Sequence, residues 1–299
     1  MRPPKLAVVG IPTAAAARGT SVARAPLALR DQGLLKALAA DGTRVVNLSD
    51  LSLFPYREDP AHPRARNAEV VACAVRTAAD EMTRALAEGF TLVLGGDCTL
   101  AVGLVSGARA FMGTPVGLVY IDAHADLHTP ETTRSGYLQG MALALATGRG
   151  PEAVVSAYRP GPAVRPEHVA LLGVREWEPG EREAAGPLAL VMDAAAMQQA
   201  GMAQVADRAL GAIGSGPVVV HFDVDVVRTE EMPAVEVQTG GGGLTWIEAA
   251  DLLRSLLASP RVIALEVVQY DPDRDPDGAY ARRVVDLLTS ALARHLAGA

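Results

Sequence analysis

Residues 120–128 read Tyr120-Ile121-Asp122-Ala123-His124-Ala125-Asp126-Leu127-His128, an apolar run that turns acidic at its end. A strand sends alternate side chains to one side, so Asp122, His124 and Asp126 fall together wherever extended backbone persists. The same change recurs at His221-Phe222-Asp223-Val224-Asp225, and the turn Leu94-Gly95-Gly96-Asp97-Cys98-Thr99 closes a third apolar run. Further outward, Val-, Ile- and Leu-rich runs stand at 5–9, 44–48, 91–94, 116–121, 169–174, 188–192, 217–222 and 262–267. Most lack polar alternation, which is the pattern of strands buried on both faces. Interleaved with helical patterns, they predict a largely parallel sheet of about eight strands covered on both sides.

The intervening helices have readable faces and ends. Val71, Val75, Ala78 and Met82 share a face of a helix expected to stop at Gly89. Thr245 and Glu248 have capping-box spacing ahead of Leu252, Leu253, Leu256 and Leu257. A last helix is expected over 280–296, with Val284, Leu288 and Leu292 inward. The loop-like stretches 55–66 and 147–166 look too short to separate two cores, so 1–299 is expected to form a single domain. Composition narrows the function classes. With 27 basic against 34 acidic residues, a net charge of −7 and only 4% aromatics, a nucleic-acid surface is not expected. No apolar run approaches ~18 residues, so no membrane span is expected. Two cysteines, Cys73 and Cys98, make no disulfide framework, which points to a reducing cytoplasmic setting.

In parallel α/β sheets, ligands bind in the crevice outside the carboxyl ends of the strands. Four carboxylates converging there beside an imidazole repel one another and raise their own pKa values unless cations intervene. Two divalent metals bridged by carboxylates resolve that conflict. A single Asp-x-Asp after a strand is commonly a cap or turn former. It is the two acidic pieces together, with the His between carboxylates and the Gly-Gly-Asp-Cys turn, that carry the metal reading.

At these residues the chain resembles the ureohydrolase family of arginases, agmatinases and formiminoglutamases. Gly10-Ile11-Pro12, Arg18-Gly19, Ala25-Pro26 and Leu29-Arg30 are similar to the family's opening, and the three acidic turns to its metal turns. The resemblance implies an arginase-like three-layer αβα sandwich and hydrolysis of a linear guanidino compound to urea or hydroxyurea plus an amine. It also implies two Mn2+ ions and a homo-oligomer, trimer or hexamer. Carried over by position, one metal takes Cys98, Asp122, Asp126 and Asp223, and the other takes His124, Asp122, Asp223 and Asp225. In this scheme a hydroxide bridging the metals attacks the guanidine carbon, Asp126 accepts its hydrogen bond, and Glu266, read as ending the strand 262–265, pairs with the guanidinium.

Several positions depart from the family pattern. Cys98 stands where most members have a metal-binding histidine, and its thiolate shifts preference toward Zn2+ at that site. The same cysteine, with Thr129-Pro130-Glu131-Thr132-Thr133, Gly136-Tyr137-Leu138 and Pro179-Gly180-Glu181-Arg182-Glu183, resembles a branch acting on N-omega-hydroxy-L-arginine. Gln139 replaces a histidine that shuttles a proton, which an amide cannot do. His128, Ser135, Tyr137, Gln139, Glu176, Glu178 and Glu181 are the expected substrate-binding positions alongside Glu266, with His128 also a candidate to move protons. Glu176, Glu178 and Glu181 fall where arginases hold an α-amino group. Three alternatives stay open: a catalytically degenerate relative that binds metal or substrate, an agmatinase or formiminoglutamase, and a deacetylase-like amide hydrolase.

Overall fold

The computed structural model describes residues 5–40 and 42–297. All eight apolar runs form strands: β1 (Lys5–Ile11), β2 (Arg44–Asp50), β3 (Phe90–Gly95), β4 (Gly117–Ile121), β5 (Val169–Val174), β6 (Leu190–Asp193), β7 (Val218–Asp223) and β8 (Val262–Val268). They make one sheet in the order β2-β1-β3-β8-β7-β4-β5-β6, and each neighbouring pair is parallel. Side-chain alternation divides the core in two. Leu92, Leu94, Val119, Ile121, Val220 and Phe222 face one layer, while Val93, Leu118, Tyr120 and Val219 face the other.

Five long helices supply most of the outer layers: α1 (Ala68–Leu86), α2 (Leu100–Met112), α3 (Met202–Ala212), α4 (Trp246–Leu257) and α5 (Ala279–Ala297). The buried faces of α1 and α2 cover the second side of the sheet, and those of α3, α4 and α5 cover the first. The architecture is therefore a three-layer αβα sandwich. Helix α4 begins in the capping box read from sequence: Thr245 Oγ1 accepts from the Glu248 backbone N–H, and Glu248 accepts from the Thr245 N–H. Helix α1 ends at Leu86, before Gly89, which turns the chain into β3 with φ +151°. A Cβ there would lie 2.4 Å from the Lys5 carbonyl oxygen, so close strand approach requires the glycine. The stretch 147–166 holds one short helical turn, Glu152–Val155.

Helices α1 and α2 lie close enough that Gly107 has the Ala79 carbonyl where its own Cβ would be, at 2.3 Å. We expect Gly107→Ala to lower stability by about 1–3 kcal/mol through overpacking. The urea midpoint measures this, and a midpoint at or above the parent's would contradict such close packing.

Candidate metal centre and active site

Parallel strands bring β3, β8, β7 and β4 side by side, and the chain leaves each of them at the same rim. After β4, the Asp122 Oδ1 accepts from the His124 backbone N–H at 2.7 Å. After β7, the Asp223 Oδ1 accepts from the Asp225 N–H at 2.7 Å, and Asp225 Oδ1 accepts from the Ala123 N–H at 3.1 Å. These Asx-type turns tie the two acidic segments together. The turn after β3 is set by buried Asp97, which bonds Thr13, Ala16 and Thr99 and so positions the loop without joining the donor clusters. Gly96 lets that loop pass against the Thr13 carbonyl, where a Cβ would lie at 1.8 Å.

Two donor groups result. In one, ligand atoms of Cys98, Asp122, His221 and Asp223 all lie within 4.8 Å of one another; in the other, those of Asp122, His124 and Asp225 do. His124 Nδ1 is 2.9 Å from Asp225 Oδ2 and 3.5 Å from Asp122 Oδ1. Cys98 Sγ donates to Asp223 Oδ2 at 3.3 Å. Asp126 stands beside both groups and inside neither. Its Oδ2 accepts from the Tyr120 hydroxyl at 2.6 Å, and its backbone is left-handed with φ +52°.

Burial, then the Asp225 charge, pushes the Asp122 carboxyl up. Burial and the charge of Asp122 do the same to Asp126, and burial with Asp225 and Asp122 to Asp223, both well above the usual range. Burial also raises the Cys98 thiol, with Asp223, Asp126 and Asp122 adding to it. His124 is depressed by burial, but Asp225 and Asp122 override this and hold it well above the ordinary histidine value. Asp225 goes the other way: burial raises it, but His124 and the Ala123 N–H bring it below the normal range. A divalent cation removes this repulsion. The Asp122 Oδ2 is buried with no hydrogen-bond partner among the described residues, so the donor set has a free carboxylate oxygen where a bridging ligand is needed. The residues fit a pair of divalent metals.

Above the rim is a cavity of about 560 Å³. His128, Ser135, Tyr137, Gln139, Glu176, Glu178 and Glu181 all line it. His128 Nε2 lies 3.3 Å from Glu178 Oε2, and Glu176 accepts from the Gly240 N–H at 2.8 Å. Glu181 is buried and accepts from the Leu127 and Glu178 N–H groups, so it ties two loops together. Glu266 is a correction. It is absent from the cavity wall and fully buried, its Oε2 2.6 Å from His221 Nδ1. Strand β8 runs on to Val268, so Glu266 sits one layer inside the sheet and the chain reaches the cavity only at Gln269. Gln269 Nε2 donates to Gln139 Oε1 at 3.0 Å and approaches Cys98 Sγ at 3.3 Å. Gln139 in turn donates to Glu236, whose other oxygen accepts from the Arg18 and Gly19 N–H groups.

Sequence reasoning gave no role to His221, Gln269, Tyr120 or Glu236. Period-two spacing did carry a signal for Tyr120 and His221, which share the side of Asp122 and Asp223. Nothing local marked Gln269, which takes a left-handed φ of +68°.

A parallel αβα sandwich with paired carboxylate turns and a cavity at its strand ends is the arrangement expected of a metal-dependent hydrolase. The arginase family model matches residues 4–293. The arginase of Brucella melitensis is 33% identical over 96% of this chain and 95% of its own. That of Brevibacillus brevis is 29% identical over 95% and 96%. The crystal structure of Bacillus subtilis arginase superposes with a TM-score of 0.87, at 28% identity over 96% of this chain and 98% of that one. The chain belongs to the arginase family, hydrolases that act on C–N bonds of linear amidines at a dinuclear metal centre.

The carboxyls raised by burial set a pH dependence. Above about pH 4 the folded chain holds protons on Asp122, Asp126 and Asp223 that the unfolded chain has released, and near pH 6.5 it holds one on His124. Stability in chelator should therefore fall as pH rises above about 4, and an added divalent cation that displaces those protons should offset the loss. Urea midpoints with and without metal test this. A flat or rising profile in chelator would show that the charges do not oppose one another.

Proposed function

We propose that the protein hydrolyses a weakly basic guanidino amino acid, of the N-omega-hydroxy-L-arginine type, to hydroxyurea and an amine, using two Mn2+ ions with Zn2+ competing at the Cys98 side. The observation that carries this is the amide wall. Where the cavity meets the donor groups, the neighbouring side chains are Gln139 and Gln269, and Glu266 is out of reach. A guanidinium calls for a carboxylate across its planar fork of donors. A neutral hydroxyguanidine is matched by amide oxygens, and Gln269 Oε1 is a buried acceptor with no partner among the described residues. At the outer end, Glu176 and Glu178 supply negative charge for an α-ammonium, and His128 and Ser135 supply donors for a carboxylate.

Cys98, Asp122, His124, Asp223 and Asp225 would hold the two divalent metals, which would acidify water and so provide a nucleophile at neutral pH. Asp126, kept basic by burial and oriented by the Tyr120 hydroxyl, accepts a proton from the attacking water and returns it to the leaving nitrogen. The Gln139–Glu236 link fixes the amide against the substrate and transfers no proton. The reading includes a homo-oligomer, trimer or hexamer, on the strength of the family resemblance, and a cytoplasmic setting, on the strength of two cysteines that make no disulfide framework. Among the described residues no helix is long and apolar enough to cross a membrane.

A panel of N-hydroxy-L-arginine, L-arginine, agmatine and formiminoglutamate with added manganese tests the substrate. We expect kcat/KM for the hydroxylated amino acid to exceed that for arginine by at least about tenfold, or ~1.4 kcal/mol. Equal values would overturn the neutral-substrate reading. No turnover of any member by a fully metallated protein would favour a binding protein instead. Gln269→Glu should move the preference toward arginine, and Asp126→Asn should cost about 10²-fold or more in kcat with metal content retained.

A further inference from the structure

One buried group has no part in the mechanism above. His221 is fully buried on β7, two residues before Asp223 and on the same side of the strand. Strand register sets Tyr120, His221 and Glu266 in one row across β4, β7 and β8. Tyr120 stacks on the imidazole with ring centroids 4.0 Å apart and planes 8° from parallel. Glu266 holds Nδ1 at 2.6 Å. That leaves Nε2, which is buried and has no partner among the described residues.

We propose that His221 Nε2 ligates the metal shared by Cys98, Asp122 and Asp223, with Glu266 as the carboxylate that orients it. This rests on the dinuclear reading of the rim and adds to it a ligand from inside the sheet. A metal-binding imidazole characteristically donates its second ring N–H to a carboxylate, which fixes the tautomer and raises the basicity of the nitrogen facing the metal. His221 has that arrangement, and its ring lies within 4.8 Å of the other three donors. A histidine buried only for structure would have both nitrogens satisfied. Here Nε2 and Asp122 Oδ2 are both orphans, on two residues of the same donor group. Cys98, His221, Asp122 and Asp223 make a four-donor set of S, N and two O, softer than the His124, Asp122 and Asp225 group.

The wild-type chain crystallised with excess manganese, with diffraction collected across the manganese edge, locates both ions without any variant. The expected result is two peaks, one at bonding distance from Cys98 Sγ and His221 Nε2 together. Two peaks with His221 Nε2 beyond bonding distance of either would overturn the proposal and leave the dinuclear reading standing. No peak at the rim would sink both. In solution, competition with a chelating dye should show one of two manganese sites weakened about 10–100-fold in Glu266→Gln, and the other unchanged. His221→Gln should lose that same site. Unchanged affinities in a folded Glu266→Gln protein would count against the carboxylate's role.

Discussion

Like charges buried side by side govern this molecule. Asp122, Asp126, Asp223 and Asp225 are at most 6% exposed, at the ends of strands that close packing forbids to separate. At an effective dielectric near 20, a pair of unit charges 4 Å apart costs about 4 kcal/mol. Backbone N–H groups of Ala123, His124 and Asp225 offset part of this, and His124 offsets more. The remainder is met by protons when metal is absent and by divalent cations when it is present. The sheet fixes the carboxylates, and the carboxylates make the cation a condition of their full ionisation.

The same constraint sorts the cavity into two ends. Near the rim, the added groups carry no formal negative charge: Cys98 is held protonated, and Gln139 and Gln269 are amides. Carboxylates that touch this end are already engaged, Glu236 by two backbone N–H groups and Gln139, Glu266 by His221. The remaining acidic groups, Glu176 and Glu178, lie at the mouth, Glu176 accepting from the Gly240 N–H and Glu178 beside His128 Nε2. The substrate proposed above, with a weakly basic head and a zwitterionic tail, is consistent with that gradient.

The fold was legible because strands buried on both faces are continuous apolar runs, and all eight runs became strands within a few residues of their expected ends. Those few residues matter most at the rim. Reading β8 as ending at Leu265 put Glu266 at the cavity, whereas Val267 and Val268 continue the strand and carry Glu266 into the interior. Periodicity itself held the correction, because a strand three residues longer moves the rim to Gln269. The left-handed backbone of Asp126 and Gln269 had no such signal. Their side-chain directions depend on bonds to distant groups, Tyr120 for one and the Gly96 carbonyl for the other.

Non-glycine residues adopt positive φ at a cost, and among the described residues only Asn67, Asp126 and Gln269 do so. Two of the three border the donor groups. Asp126 in extended conformation would continue the alternation of Asp122 and His124 and add a further carboxylate to the same point. Turned to φ +52°, it takes the Tyr120 hydroxyl and stands beside the cluster, spaced from the strongest repulsion yet near enough to receive a proton. Cys98 serves the charge balance in a related way. Its thiol proton bonds Asp223 in the metal-free chain, so the sulfur adds no charge until a cation arrives to displace that proton. The site can thus fold as a protonated cluster and exchange its protons for metal afterwards.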